Sequence, residues 1–184
     1  MILTVNKRNQ GVTLVELMVA MAVLGILLAI GVPSFNQFTV NSRLTSYANS
    51  MLSNMSQARS EAIKRNNRVA LCKSADGLVC NNGGDWDQGW IAFSDFDNNA
   101  TLGGGDLLLF TMPVLANGYT FSGNANVANY VSFDTQGMAR LTTGGAQAGT
   151  FTICPPAPAV GGNGRQIVLN FSGRARIATI TTCP

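Results

Sequence analysis

Apolar residues form one uninterrupted stretch near the start of the chain, and this pattern predicts a helix that crosses a membrane. Val12–Phe35 is apolar at nearly every position, and no charged side chain occurs between Glu16 and Arg43. About 20 apolar helical residues are enough to cross the hydrocarbon core of a bilayer. Lys7 and Arg8 precede the stretch. Because basic residues favour the cytoplasmic side, we expect the N-terminus in the cytoplasm and the remainder outside.

Beyond Pro33 the apolar residues recur every three or four positions, which is typical of an amphipathic helix with one buried stripe. The stripe consists of Leu44, Tyr47, Ala48, Met51, Leu52, Met55, Ala58, Ala62 and Ile63. Pro33 lacks a backbone donor and is expected to bend the helix, with Gly31 adding looseness. Residues 12–65 would form a spine roughly 80 Å long.

After Arg65 the helical period stops, and short β-branched or aromatic segments alternate with Gly, Asn and Asp. Several short strands separated by turn residues predict an antiparallel sheet or sandwich, which the helix stripe would cover. The fold class is therefore expected to be α+β. The predicted strands are Arg68–Lys73, Gly89–Ser94, Leu107–Met112, Tyr119–Phe121, Tyr130–Phe133, Thr150–Cys154, Gln166–Phe171 and Arg174–Thr181.

The charge along the 184 residues is unevenly placed. Residues 12–73 carry six basic and two acidic side chains, and residues 74–139 carry seven Asp and no basic residue. Residues 140–184 contain four arginines and no acid. The chain can therefore present a basic face if its two basic parts lie together.

The sequence contains no histidine. This removes the commonest general base and the commonest metal ligand, and it excludes Ser-His-Asp and Cys-His catalysis. The scattered carboxylates offer no nucleophile–base pair. We therefore expect neither an enzyme nor a cofactor or metal site.

The four cysteines are Cys72, Cys80, Cys154 and Cys183. An even number of cysteines behind a membrane-targeting segment indicates two disulfides in an oxidising compartment. Zinc is the competing use, but the chain has no C-x-x-C pair. The spacing favours Cys72–Cys80 and Cys154–Cys183, although the sequence alone allows three pairings.

Immediately before the apolar stretch, Gly11 is followed by Val-Thr-Leu-Val-Glu-Leu. This segment resembles the cleavage motif of type IV prepilins and type II secretion pseudopilins. The resemblance implies that a prepilin peptidase cuts after Gly11 and methylates Val12 as the new N-terminus. Because the cut precedes the apolar stretch, the helix stays in the product.

Glu16 places a carboxylate within an apolar helix, where such residues are costly and usually have a partner. After cleavage, the Val12 amine of a neighbouring subunit would supply that partner and fix the axial register of packed helices. The alternative is that Glu16 lies at the level of the lipid headgroups.

Three later segments occur in the order seen in the FimT/GspH branch of minor pilins and pseudopilins: Asp85–Asp95, Phe133–Gly137 and Ser172–Arg176. The resemblance implies the type IV pilin fold, with a leader (1–11), a transmembrane and assembly helix (12–40), an amphipathic helix (41–66) and a β-rich domain (67–184). It also implies an inner-membrane protein with a periplasmic domain that later joins a pilus fibre.

Gly173, Arg174 and Arg176 form a G-R-x-R stretch in the last predicted strand. Residues two apart in a strand share a face and lie roughly 6.5–7 Å apart, which suits successive phosphates of one nucleic-acid strand. Gly173 would let a backbone approach, and Arg140 and Arg165 would widen the patch. The stretch resembles that of FimT-type pilins, which bind DNA during natural transformation. Because no base-reading element is evident, the expected binding is sequence-independent.

Two alternatives stay open for this stretch and for the whole chain. The arginines could be solvated side chains that guard an edge strand. The protein could equally be a structural minor pilin or pseudopilin that acts in fibre assembly with no nucleic-acid ligand.

Three further features have plain structural interpretations. Asp95, Asp97, Asn99 and Asp106 are spaced as in a calcium loop, but Ala100 replaces the required glycine, and an Asx-rich loop is the better account. Two tryptophans, Trp86 and Trp90, could stack on bases, but at least one of them is better explained by core or turn packing. A second basic cluster is interpreted as a solvated helix end, and it contains Arg59, Lys64, Arg65 and Arg68.

Overall fold

The structure is a computed structural model that describes residues 11–116, 118–157 and 163–183. The predicted leader, with Lys7 and Arg8, lies outside the described residues except for Gly11. The chain divides into two compact units between Thr39 and Val40.

One helix, α1, runs from Leu14 to Arg65 and continues through Pro33. Thr13 begins it by accepting a hydrogen bond at Oγ1 from the Glu16 amide (3.2 Å), as a Thr N-cap does. By length and composition α1 can cross a membrane, and the side chains of its apolar part are exposed.

The C-terminus of α1 is closed by two asparagines. Asn66 takes the left-handed conformation (φ 48°), and its amide donates to the Ile63 carbonyl oxygen. The Asn67 amide donates to the Ala62 carbonyl oxygen. This Schellman arrangement explains why the helical pattern stops after Arg65.

The second half of α1 supplies one buried stripe, as the periodicity predicts. Leu44, Ala48, Met51, Met55, Ala58 and Ala62 are fully buried. Ile63, which the pattern includes in the stripe, is half exposed instead, because it lies at the margin of the packed face. All of this core lies beyond Val40, so residues 40–184 carry a complete core of their own.

The described residues after α1 form two four-stranded antiparallel sheets, in the orders β3-β2-β1-β5 and β4-β6-β7-β8. The strands are β1 Val69–Lys73, β2 Trp90–Ser94, β3 Leu107–Met112, β4 Thr120–Gly123, β5 Tyr130–Phe133, β6 Gly149–Cys154, β7 Gly164–Leu169 and β8 Ala175–Ile180. Every predicted strand is present: the bounds of Leu107–Met112 and Tyr130–Phe133 coincide with the prediction, and the ends of the others shift by one or two residues at most. The expected α+β class is confirmed.

Aromatic rings fill the core between the elements. Trp86 and Trp90 have no exposed surface, and Trp86 contacts Phe151 edge-on with ring centroids 5.2 Å apart. Trp90 meets Phe121 in the same way at 5.7 Å, and the Trp86 Nε1 donates to the Val127 carbonyl oxygen. Both tryptophans are therefore core residues and are closed to a nucleic-acid base.

The cysteines pair as their spacing favours. Cys72 is bonded to Cys80 and Cys154 to Cys183, with Cα–Cα distances of 5.5 and 5.8 Å. The second disulfide joins the segment after β8 to the end of β6.

Candidate nucleic-acid interface

The G-R-x-R stretch begins in the tight turn that joins β7 to β8. The Gly173 amide donates to the Asn170 carbonyl oxygen, and the Asn170 amide donates to the Arg174 carbonyl oxygen, both at 2.9 Å. Gly173 has a φ of 74°, a conformation that other residues adopt only at a cost. This turn sets the register in which β8 follows β7 at the edge of its sheet.

The side chains of Arg174 and Arg176 extend from this edge of the sheet into solvent. Both are exposed, whereas Ala175 and Ile177 pack against the core. Side chains alternate between the two faces along a strand, so Arg176 lies on the solvent face of β8, and Arg174 is exposed in the turn just before the strand begins. Among the described residues neither arginine forms an ion pair.

Gly173 serves a different purpose from the predicted one. A Cβ atom at this position would meet the carbonyl oxygen of Gly137, and it would lie 3.2 Å from the Arg59 Nε. The Arg59 Nε donates to the same Gly137 oxygen at 2.9 Å. The backbone that approaches Gly173 is therefore the protein's own, in the turn Asp134–Gly137.

The structure gives Arg140 and Arg165 partners of their own, and it places Arg165 on the face opposite Arg176. Arg140 forms an ion pair with Asp134, with Nε 3.2 Å from Oδ2. Arg165 is paired with Thr179 in the register of β7 and β8, so it points to the opposite face, and its Nη2 donates to Thr45 of α1 at 3.3 Å. The expected widening of the patch is therefore wrong for Arg165, whereas at Arg140 the positive charge is neutralised by Asp134.

The second basic cluster is dispersed in the structure. Lys64 and Arg65 both pair with Glu61, at 3.3 and 2.7 Å. Hydrogen bonds from Arg65 and then Lys64 hold the pKa of the Glu61 carboxyl below its ordinary value. Arg68 donates to the Ser132 hydroxyl and the Leu141 carbonyl oxygen. Arg59 alone of the four turns toward Gly173, which its place near the helix end did not indicate.

The acidic loop brings together the carboxylates of Asp95, Asp97 and Asp106, whose oxygens lie within 4.8 Å of one another. Each carboxylate oxygen accepts a hydrogen bond from the loop, for example the two of Asp95 from the Asn99 and Ala100 amides. Ala100 is left-handed (φ 56°). These hydrogen bonds hold the loop together, as expected of the predicted Asx-rich loop.

Two sequence families match the chain. The family described as type II transport protein GspH matches residues 47–173, and a prokaryotic N-terminal methylation motif matches residues 6–32. The type IV major pilin protein PilA of Myxococcus xanthus is 50% identical over 38 residues. That match covers 21% of this chain and only 17% of the length of PilA.

Solved structures with the same fold include two proteins of related systems. The type IV minor pilin FimU of Pseudomonas aeruginosa has a TM-score of 0.57 at 20% identity, over 80% of this chain and 99% of that one. The minor pseudopilin EpsH from the type 2 secretion system of Vibrio cholerae has a TM-score of 0.50 at 11% identity, over 74% of this chain and 96% of that one. Since the GspH match covers more than half of the sequence, the chain belongs to the GspH family of type II transport proteins, and its architecture is the type IV pilin fold.

Proposed function

We propose that this protein is a minor pilin of a type IV pilus that binds DNA without sequence preference during natural transformation. The observation that carries the proposal is the pair of outward arginines, Arg174 and Arg176, at an edge strand. Planar guanidinium groups suit phosphate oxygens, and neither group is neutralised by a described carboxylate. Contacts of this kind position a backbone and read no bases.

The proposed path to the fibre starts at the N-terminus. A prepilin peptidase cuts after Gly11 and methylates Val12, and α1 anchors the product in the inner membrane with residues 40–184 in the periplasm. The match to the N-terminal methylation motif supports this order of events. In the fibre, the Glu16 carboxylate forms an ion pair with the Val12 amine of a neighbouring pilin subunit. This pair gives the carboxylate a partner in an apolar environment.

The DNA proposal is tested by titrating residues 40–184 with duplex DNA at two salt concentrations. Affinity should fall with salt, and the double variant R174Q/R176Q should bind more weakly with a log–log salt slope shallower by about 1.8, at roughly 0.9 for each phosphate that is no longer neutralised. The matched control is K64Q/R65Q, which removes two charges from the Glu61 cluster. Equal binding by R174Q/R176Q and the unaltered domain contradicts the assigned site, and no binding at low salt contradicts the activity.

A structural subunit is the second candidate, and the EpsH-like fold favours it. Such a subunit would prime or cap a pilus or a secretion pseudopilus through protein contacts alone. A deletion strain separates the two functions. Normal pili with failed transformation support DNA capture, whereas loss of pili or of secretion supports the structural role.

A further inference from the structure

We infer that Arg59, on the helix, is a second phosphate-binding residue that extends the candidate interface from Arg174 across a groove beside the hairpin. The inference rests on the proposed function, because it assigns a further contact for the same nucleic-acid backbone. The groove has a volume of about 370 Å³ and lies between α1 and the start of β8. Its lining residues are Ser56, Arg59, Ser60, Ile63, Gly173, Arg174 and Ala175.

Two guanidinium groups border this groove from elements that are distant in the sequence. Arg174 comes from the hairpin, and Arg59 comes from the helix, 78 residues before its partner Gly137. The serines on the helix side have short side chains, so the groove stays open between the two cations. A phosphodiester backbone crossing from the hairpin to the helix would meet positive charge on both sides.

Arg59 is held ready for such a contact. Its Nε is occupied by the Gly137 carbonyl oxygen at 2.9 Å, and the described residues provide no hydrogen-bond acceptor for its terminal nitrogens. One bond thus fixes the plane of the guanidinium group while its outer edge remains available. A planar fork oriented in advance loses less conformational freedom on binding an oxyanion.

The neighbouring acid does not cancel this charge. Glu61 is the closest carboxylate in sequence, and it is engaged with Lys64 and Arg65. Arg59 forms no ion pair among the described residues, although it is only partly exposed. A partly buried cation without an acidic partner, beside the exposed Arg174, is best matched by an anionic backbone.

The test is a DNA titration of residues 40–184 that carry R59Q, R59K or the control K64Q, with thermal unfolding measured in parallel. R59Q should weaken duplex binding several-fold, with a salt slope shallower by about 0.9. R59K should keep the salt slope of the unaltered domain because it keeps the charge, even where its thermal stability is the same as that of R59Q. K64Q should leave the slope within error of the unaltered domain.

A second measurement uses the unaltered domain and needs no variant. Phenylglyoxal modifies accessible guanidinium groups, and peptide masses report which arginines react. DNA should protect Arg59 and Arg174, while the exposed Arg43, which lies earlier in the helix, stays reactive. If Arg59 reacts equally with and without DNA, or if R59Q keeps the full slope while R174Q/R176Q does not, the inference is overturned and the proposed function stands. No binding by the unaltered domain overturns both.

Discussion

At the scale of single residues, two positions show how a common chemical group acquires its role from its surroundings. Gly173 is a glycine because a backbone carbonyl occupies the space of its missing side chain. Asp95 is one of seven Asp residues between positions 74 and 139, yet it alone of the acidic loop is fully buried. Burial is the main cause that raises the pKa of the Asp95 carboxyl above its ordinary value of 3.8, against the opposing hydrogen bonds of two amides.

The raised pKa of Asp95 has a definite sign for stability. A folded-state pKa above the unfolded-state value means that the folded form binds the proton more tightly. The contribution of this group to the free energy of unfolding is therefore fully present below pH 3.8 and is lost as the pH rises through the folded-state pKa. Above that window the ionised carboxylate keeps its two amide bonds but bears the cost of burial.

We predict that D95N is less stable than the unaltered domain, by roughly 1–3 kcal/mol at low pH, because one amide donor loses its acceptor. The deficit should shrink toward neutral pH, since the neutral amide side chain of the variant bears no ionisation cost there. Urea unfolding across the acidic range measures the difference, with the exposed D85N as the control. A stability deficit of D95N that grows with pH would contradict the predicted direction of the pH dependence of Asp95.

At the scale of elements, the hairpin β7–β8 carries the candidate interface and is secured at both of its ends. The turn bonds of Asn170 and Gly173 hold Arg174, which lies just before β8, and the start of β8 with Arg176. The Cys154–Cys183 disulfide holds the chain after β8, with a sequence separation of 29 residues. The Cys72–Cys80 bond closes a separation of only 8 residues.

We predict that C154S/C183S lowers the free energy of unfolding by roughly 3.5 kcal/mol and C72S/C80S by roughly 2.5 kcal/mol, because a longer closed loop restricts the unfolded chain more. Denaturant unfolding measures both changes in residues 40–184. DNA affinity of C154S/C183S should stay close to that of the unaltered domain, since the turn still holds the arginines. A larger effect for C72S/C80S would contradict the chain-entropy account.

At the scale of the whole molecule, the chain combines an apolar helical segment with a domain that has its own core. The segment before Val40 exposes apolar side chains contiguously, for example Ile30 at 69%, and a patch of this kind marks a membrane or protein interaction site. Lipid and the helices of other pilins are the environments that the proposal assigns to this segment. Glu16 is its one acidic residue, and the proposed pairing makes it a determinant of assembly.

We predict that E16Q is processed at Gly11 and inserted in the membrane but is absent from sheared fibres, because a neutral amide no longer attracts the Val12 amine. Mass spectrometry of the membrane fraction and immunoblots of the sheared fraction measure these steps. E16D should assemble in part, and Q37A, a polar change elsewhere in the helix, should assemble normally. Normal incorporation of E16Q would remove Glu16 from the assembly contact.

The sequence by itself determined the features that neighbouring residues encode. The apolar stretch, the three- and four-residue period of the stripe, and the β-branched segments between turn residues predict helix and strands correctly, because side chains on one element repeat with its geometry. Cysteine spacing likewise indicates the observed disulfides. The segment motifs were sufficient to indicate the GspH family, which the family match confirms.

Only the tertiary structure decided which arginines share a surface. Arg165 does not share the surface of Arg176, because successive residues of β7 face opposite sides of the sheet and the register places Arg165 on the other side. Arg140 forms an ion pair with Asp134, six residues earlier in the chain. Arg59 lies near Gly173 because its Nε donates a hydrogen bond to the Gly137 carbonyl oxygen, 78 positions away. Such contacts depend on how distant elements pack against each other, and no local period or spacing in the chain specifies that packing.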